Sequence, residues 1–298
     1  MSTTTKRQAK RYYITISRKI TQILSFIIVF GGTLGYAATV LVLPIRVGLS
    51  NPFVIVADAW MLMEIMFGMA MVPLVAIASI ALFTLILGRA TCGWICPFGL
   101  INDILGALGK KKKLSPQTTL GLWKFALSIA GLLLFIDVSI YYNEVVGSSI
   151  KNYFGAFGDA PTTFIDPVTT LFSLLFWMTY SNKWPKDITG WFNLPAELYW
   201  RLFFLAIVII GMLLIPRFYC KALCPLGAIM GLGSEFALLS IHISKGKCIE
   251  CKACERACPM DIPILSFIDK GEVKHPQCIM CLKCMEVCPA KAIWLKFG

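Results

Sequence analysis

Eight cysteines fall in two runs, "CIECKACERACP" (Cys248 to Pro259) and "CIMCLKCMEVCP" (Cys278 to Pro289), each spaced C-x2-C-x2-C-x3-C-P. That spacing is the bacterial-type [4Fe–4S] run. Three thiolates on a tight turn reach three corners of a cubane, and the fourth, before proline, is carried by the chain to the other cluster. The pattern assigns Cys248, Cys251, Cys254 and Cys288 to one cluster, and Cys278, Cys281, Cys284 and Cys258 to the other. Zinc favours two separated pairs, not four cysteines in so short a run. Pro259 and Pro289 end the loops and suit the first position of a following helix. The flanking segments "LLSIHIS" and "AIWLKF" alternate like strands. Residues 241–298 therefore read as an α+β, bacterial-type two-cluster ferredoxin domain.

The other four cysteines form a second repeat. "RATCGWICPFGL" (Arg89 to Leu100) returns 128 positions on (Cys92 to Cys220) as "RFYCKALCPLGA" (Arg217 to Ala228). Cys92 and Cys96 are four apart, as are Cys220 and Cys224, so on a helical turn each pair shares a face. Two such pairs supply the four thiolates of a third, shared Fe–S centre. A redox-active dithiol and a packing role are the alternatives. Arg89 and Arg217 either offset thiolate charge or act as ordinary anchors at the membrane edge. Gly93, Gly99 and Gly227 permit close backbone approach.

Each of these motifs follows a long apolar run. The chain of 298 residues is 57% hydrophobic and 15% charged, against about 25% charged in soluble domains, which marks a membrane protein. Four runs are long enough to cross: Ile20–Leu43, Met69–Leu87, Leu120–Tyr142 and Trp200–Ile215. Lys6, Arg7, Lys10, Arg11, Arg18 and Lys19 precede the first, and Arg89, Lys110 to Lys113 and Lys124 lie between the second and third. This bias puts both termini in the cytoplasm and both Cys-x3-Cys-Pro motifs at the same membrane edge. The expected architecture is a polytopic α-helical membrane domain with four transmembrane helices. Residues 1–19 form a basic cytoplasmic tail, retained with the first span rather than cleaved; residues 20–240 form the membrane domain. Asn51–Gly68 and Asp166–Tyr180 read as re-entrant or interfacial helices on the outer side. The net charge of +12 belongs to residues flanking apolar runs, so it points to membrane lipid and topology, not nucleic acid. The expected location is the cytoplasmic (inner) membrane.

Only two histidines occur, His242 and His275, both in the tail. Neither a bis-His haem in the membrane nor a C-x-x-C-H attachment is encoded, so no haem is expected. His275 reads as a surface polar residue. No glycine-rich nucleotide loop is present. A quinone site needs an apolar cleft with a few polar groups. Glu64 and Asp58, in a methionine-rich apolar segment, are its candidates, because acids at membrane depth are costly and often functional; the alternative is interfacial exposure. The methionines read as gap-fillers. Asp137 is a weaker candidate, and Asp166-Pro167 reads as a helix start. Lys110 to Lys113 set topology and meet anionic lipid, with docking of an acidic partner as the alternative.

Four spans, two Cys-x3-Cys-Pro motifs and a two-cluster tail together resemble the NapH-type membrane ferredoxin family, whose relatives include the C-terminal half of NosR-type regulators and CcoG-like proteins. The resemblance covers about Ile20 to the end. It implies a protein that moves electrons between the quinone pool, cytoplasmic Fe–S clusters and partners. On this reading the chain is an electron-transfer subunit of an oxidoreductase, with a quinol dehydrogenase as one candidate, and with no terminal catalytic site of its own. Its partners are the other subunits of a respiratory redox complex, carriers on either side of the membrane, and quinol. The same clusters also suit a metalloprotein maturation or metal-reducing factor, or a redox sensor.

Overall fold

The computed structural model describes residues 13–33, 39–42, 45–48, 56–109, 113–147, 161–171 and 196–298. In chain order the elements are α1 (Tyr13–Thr33), β1 (Thr39–Val42), β2 (Ile45–Gly48), β3 (Val56–Asp58), α2 (Ala59–Gly68), α3 (Leu74–Leu87), α4 (Ala90–Trp94), α5 (Pro97–Leu108) and α6 (Pro116–Val146). Then come α7 (Pro167–Thr169), α8 (Ala196–Leu214), α9 (Phe218–Ala222), α10 (Pro225–Gly233), β4 (Leu239–Ile243), α11 (Ala253–Ala257), β5 (Glu272–Val273), α12 (Lys283–Val287) and β6 (Ile293–Phe297). The chain divides into two compact units. One holds Met1–Phe26, Ala81–Leu127 and Met212–Gly298, the other Ile27–Ile80 and Ser128–Gly211.

Two expected spans take a different form. The first apolar run starts its helix earlier, at Tyr13, and ends it at Thr33. Its remainder contributes β1, which pairs antiparallel with β2 from Thr39 opposite Gly48 to Val42 opposite Ile45. A run rich in Val, Leu, Ile and Thr serves a strand as well as a span. The second run is broken. Ala70 takes a left-handed φ of 55° and Pro73 precedes α3, so only the 14 residues of α3 continue the helix. At ~1.5 Å per residue they extend about 21 Å, short of a ~30 Å hydrocarbon core. Among the described residues, α6 is the helix long and apolar enough to cross a membrane by itself. Exposed apolar side chains nevertheless line α1 (Ile16, Ile20, Ile23, Ile27), α3 (Leu74, Val75, Leu82), α6 (Leu132, Phe135, Val138) and α8 (Phe203, Ile210, Leu214). Apolar surface on that scale needs a nonaqueous neighbour.

The unit containing Ile27–Ile80 is organised around α2. β2 also pairs with β3, Ile45 opposite Asp58, and Asp58 then caps α2 by accepting a hydrogen bond from Met61 N. Of the expected re-entrant helix at Asn51–Gly68, residues 51–55 lie outside the described residues, and the remainder is a short strand followed by a ten-residue helix. Trp60, Met61 and Met63 are buried, the gap-filling role expected of methionine. Of the Asp166–Tyr180 segment, only the first six residues are described. Asp166 caps α7, accepting from Val168 N and Thr169 N, with Pro167 as the first helical residue; this is the start its sequence indicates.

In the other unit the tail forms a three-stranded antiparallel sheet in the order β5-β4-β6. β4 and β6, the two segments whose alternation marks them, pair from Leu239 opposite Phe297 to Ile243 opposite Ile293. The single-turn helices α11 and α12 each lie within one cysteine run and end with its fourth cysteine as C-cap. Pro259 and Pro289 therefore sit in turns after these helices rather than opening new ones, because a helix closed at the cysteine leaves proline nothing to start. Ile241, Met260, Ile262, Ile264, Val273, Ile279 and Ile293 form the core between sheet and cysteine loops.

Candidate metal centres

The cysteine loops of the tail enclose two cavities. One is lined by Cys258, Cys278, Cys281 and Cys284 among apolar side chains such as Met260, Ile262 and Ile279. The other is lined by Cys248, Cys251, Cys254 and Cys288, with Ile249, Leu265 and Ile293. These are the two sets of four that the spacing assigns, each with its fourth cysteine from the opposite run. Backbone conformation prepares both loops for anionic sulfur. Glu250 and Lys252 flank Cys251 in left-handed conformations, and Met280 and Leu282 flank Cys281 likewise. Alternating hand turns successive N–H groups toward one concavity, a nest for an anionic cluster. Ala292 N donates to Cys288 Sγ at 3.3 Å.

Among the described residues, no three His, Cys, Asp or Glu side chains converge closely enough for a single metal ion. A mononuclear site would gather sulfurs around one point at ~2.3 Å, whereas a cubane holds them apart at its corners. Burial pushes the Cys278 thiol up to about 12, and those of Cys258 and Cys254 to about 11. Buried thiols of this kind stay protonated and inert until a cationic centre takes their protons' place. The donor sets and cavities therefore fit Fe–S clusters.

The Cys-x3-Cys-Pro motifs lie in the same unit and are brought together. Cys92 sits in α4, and Cys96 is the N-cap of α5 with Pro97 at the first helical position. Cys220 sits in α9, and Cys224 caps α10 ahead of Pro225. Each pair thus straddles a junction between two helices; it does not share the face of one, as the four-residue spacing suggests. Burial pushes the Cys96 thiol up, and nearby Cys220 and Cys92 push it further. Burial likewise raises Cys220, while Arg217 and Arg89 draw it back and Cys92 adds to the rise. Gly227 N lies 3.3 Å from Cys224 Sγ.

The two arginines are not surface anchors, since each is only 1% exposed. Arg89 Nη2 donates to Cys220 O at 3.1 Å, and Arg217 Nη1 donates to Cys92 O at 3.3 Å. The motifs clasp one another reciprocally. The glycines make this possible: a Cβ on Gly227 would lie 2.6 Å from Arg89 Nη2, and one on Gly99 would lie 3.1 Å from Cys92 O. The clasp is not symmetric in charge. Arg217 pairs with Asp103 at 2.9 Å, as does Arg18 at 2.8 Å, and Lys19 stands 3.4 Å away. Burial alone would raise the Asp103 carboxyl, but these cations hold it down at about 2. Among the described residues Arg89 has no carboxylate within ion-pair distance; its other amino nitrogen donates to Pro276 O at 3.0 Å.

That bond joins the clasp to one cluster loop in particular. Trp94 Nε1 donates to Met280 O at 2.9 Å, and Gly93 packs so tightly that a Cβ would lie 2.3 Å from Ile279 O. Gln277 Nε2 donates to Lys221 O, and Lys221 pairs with Asp261 at 2.6 Å. The clasp therefore meets the loop of Cys278 and Cys281. His275 is half-buried, not a surface residue; its Nδ1 accepts from Gln277 N, and burial with Arg89 nearby pushes it down to about 4. His242 stacks on Trp294. Of the run Lys110 to Lys113, Lys113 is described, and it reaches Glu255 O and Asp261.

In the other unit, Glu64 is 1% exposed, not interfacial. Its oxygens accept from Trp60 Nε1 at 2.7 Å, from Thr162 N at 3.1 Å and from Thr162 Oγ1. Asp137 lies near enough for the two charges to interact, whereas Asp58 and Asp166 are occupied as helix caps. Sequence reasoning passed over Asp103, Lys221 and Gln277 and took Arg18 only as a topology residue; the side chains of all four are buried. The Asn-Asp pair inside the apolar stretch "LINDILGAL" was the available signal for Asp103.

A family model described as a 4Fe-4S binding domain matches the chain twice, over residues 69–116 and 197–245, once across each Cys-x3-Cys-Pro motif. A model described as a 4Fe-4S dicluster domain matches residues 240–289. Among similar curated proteins, the uncharacterized protein MJ0749 of Methanocaldococcus jannaschii is 26% identical, with 70% of this chain and 64% of the relative covered. The ferredoxin-type protein NapH of Haemophilus influenzae is 28% identical, with 73% and 66% covered. The methylamine utilization ferredoxin-type protein MauN of Methylorubrum extorquens is 27% identical, with 70% and 60% covered. The chain thus spans less than two thirds of the length of each of these relatives. No solved structure matches. With both motif copies and the dicluster tail matched on one chain, this protein is similar to the NapH-type ferredoxin proteins.

Proposed function

We propose that the chain is an integral-membrane iron–sulfur relay, an electron-transfer subunit between the quinone pool or an extracytoplasmic carrier and cytoplasmic-side clusters of a respiratory redox complex. Relatives named as ferredoxin-type proteins and matches to 4Fe-4S binding domains support an Fe–S electron-transfer role. In this reading the basic residues up to Lys19 lie on the cytoplasmic side, the last of them in the first turns of α1, 20–240 is a membrane domain crossing four times, and 241–298 is the two-cluster domain, with both termini cytoplasmic. The exposed apolar faces of α1, α3, α6 and α8 support the membrane assignment.

Cys248, Cys251, Cys254 and Cys288 would hold one [4Fe–4S] cluster, and Cys258, Cys278, Cys281 and Cys284 the second. Cys92, Cys96, Cys220 and Cys224 would hold a third centre. The chemistry these groups supply when bound is one-electron transfer. The residues around them bring the sites together and set their charge. Trp94, Gly93 and Arg89 fasten the clasp to the Cys278–Cys281 loop, so the order is clasp, then the Cys278 set, then the Cys248 set. The observation that carries the reading is Arg89, a buried guanidinium bonded to Cys220 O and Pro276 O and without a carboxylate among the described residues. A buried charge needs a counter-charge, and an anionic thiolate-ligated centre provides one.

Glu64, with Asp137 nearby, remains the candidate for handling quinol protons. The relay is tested by mixing a reduced quinol analogue with anaerobic protein and following bleaching of the tail clusters. Cys220→Ser is expected to retain the tail's spectrum and lose reduction by quinol. Equal rates in the variant and the parent protein would exclude the clasp from the path.

A further inference from the structure

The two halves of the tail repeat at 30 residues (Cys248 to Cys278), and they differ in what covers them. Ile279 is 1% exposed and lies against Gly93. Met280 accepts from Trp94, and Asp261 holds Lys221. The positions 30 residues away from these are Ile249, Glu250 and Lys291. Ile249 is 66% exposed, and Glu250, Lys252 and Lys291 are exposed with it. The backbone is alike on both sides, with positive φ at Glu250, Lys252 and Lys291 as at Met280, Leu282 and Asp261. One surface thus occurs twice, docked in one copy and open in the other. Cys251 is exposed within the open copy, whereas its counterpart Cys281 is half-buried.

The open copy is also basic. Lys247 and Lys252 bracket Ile249 and Cys251 in sequence, Lys291 is exposed three residues past Cys288, which lines the same cavity as Cys251, and none of the three lysines has an ion pair among the described residues. Of the acids nearby, Asp269 pairs with Lys245 at 2.7 Å, and the exposed Glu250 still leaves the face net positive against the three lysines. We propose that this face is the port at which the chain exchanges electrons with a soluble, acidic electron-carrier protein. This rests on the relay reading above and adds its partner. The three lysines would steer an acidic carrier and orient it, and Ile249 would supply the dry contact at the centre of a small, transient interface. One electron passes between the centre held by Cys248, Cys251, Cys254 and Cys288 and the carrier's own redox group. One is oxidised as the other is reduced, and no bond forms or breaks.

The test uses full-length, cluster-loaded protein in nanodiscs and an acidic [2Fe–2S] ferredoxin as probe, with binding measured by calorimetry. Affinity is expected to fall as salt rises from ~50 to ~500 mM, and to fall about tenfold or more in K247E/K291E, with iron content and reduction by dithionite unchanged. No binding, salt-independent binding, or equal affinity in the double variant would overturn the port. Should that variant fail to load iron, the salt profile of the parent protein and the single variant Lys291→Glu decide. Lysine-dependent binding to phosphatidylglycerol vesicles with none to ferredoxin would make the face a lipid contact and also overturn it. Full iron with no carrier binding rejects the port alone, whereas iron well below ~8 per chain rejects the relay itself.

Discussion

Arg89 and Arg217 each reach across to the other's motif: Arg89 Nη2 lies 3.1 Å from Cys220 O, and Arg217 Nη1 lies 3.3 Å from Cys92 O. Two segments 128 residues apart, similar in sequence, are thereby held as a pair, and the cysteines of both are partly buried. A repeat of this kind has no use for the reciprocal bonds unless the two copies must act together.

The first consequence concerns Asp103. It neutralises Arg18 and Arg217, both buried. Asp103→Asn would leave two buried guanidinium groups without a counter-charge, a change that destabilises by about 3–5 kcal/mol. Thermal unfolding in detergent should show a large fall in midpoint, and the double variant Asp103→Asn/Arg217→Met should recover part of it.

Arg89→Met should behave differently. No carboxylate is left behind, but Cys220 O and Pro276 O each lose a donor, at about 1–3 kcal/mol apiece if they stay buried. The larger effect is expected at the clasp, as loss of its iron with the tail's clusters intact. Elemental analysis on the variant checks this.

Gly93→Ala tests the contact between clasp and tail. The new Cβ would stand 2.3 Å from Ile279 O, so one of the two segments must move, at about 1–3 kcal/mol. Freeze-quench EPR should show normal tail clusters that are reduced more slowly from the membrane side.

His275 gives a pH dependence. Its folded value, pushed down to about 4 by burial and by Arg89, lies below the ordinary 6.5. Between these values the unfolded chain binds a proton that the folded one does not, so stability is complete above about pH 6.5 and declines toward pH 4. His275→Asn should flatten that limb of a pH–stability curve followed by tryptophan fluorescence.

The parts legible in the sequence are those where chemistry fixes spacing. A cubane dictates C-x2-C-x2-C-x3-C-P, and the two cavities gather the sets of four that the runs assign. β4 and β6 were visible from their alternating sequence; burial accompanies it at Ile241 and Ile243 of β4, whereas in β6 only Ile293 is buried. Arg89 and Arg217 were visible as a repeat but not as buried groups, since basic residues after an apolar run ordinarily anchor it. The break at Ala70 to Pro73 was hidden by composition, because an apolar run reads alike whether it forms one helix or two. The strand β1 was hidden for the same reason. Asp103 and Lys221 find their partners 114 and 40 residues away (Arg217 and Asp261), a distance at which no local pattern operates.

The central claim is that the clasped cysteines hold a centre of their own. Iron and acid-labile sulfide per chain, measured on anaerobically purified protein beside the variant Cys96→Ser/Cys224→Ser, test it most directly. Two cubanes and a third Fe–S centre give ~10 to 12 irons in the parent protein and ~8 in the variant. A count of ~8 in both would leave Cys92, Cys96, Cys220 and Cys224 as free thiols and contradict the account.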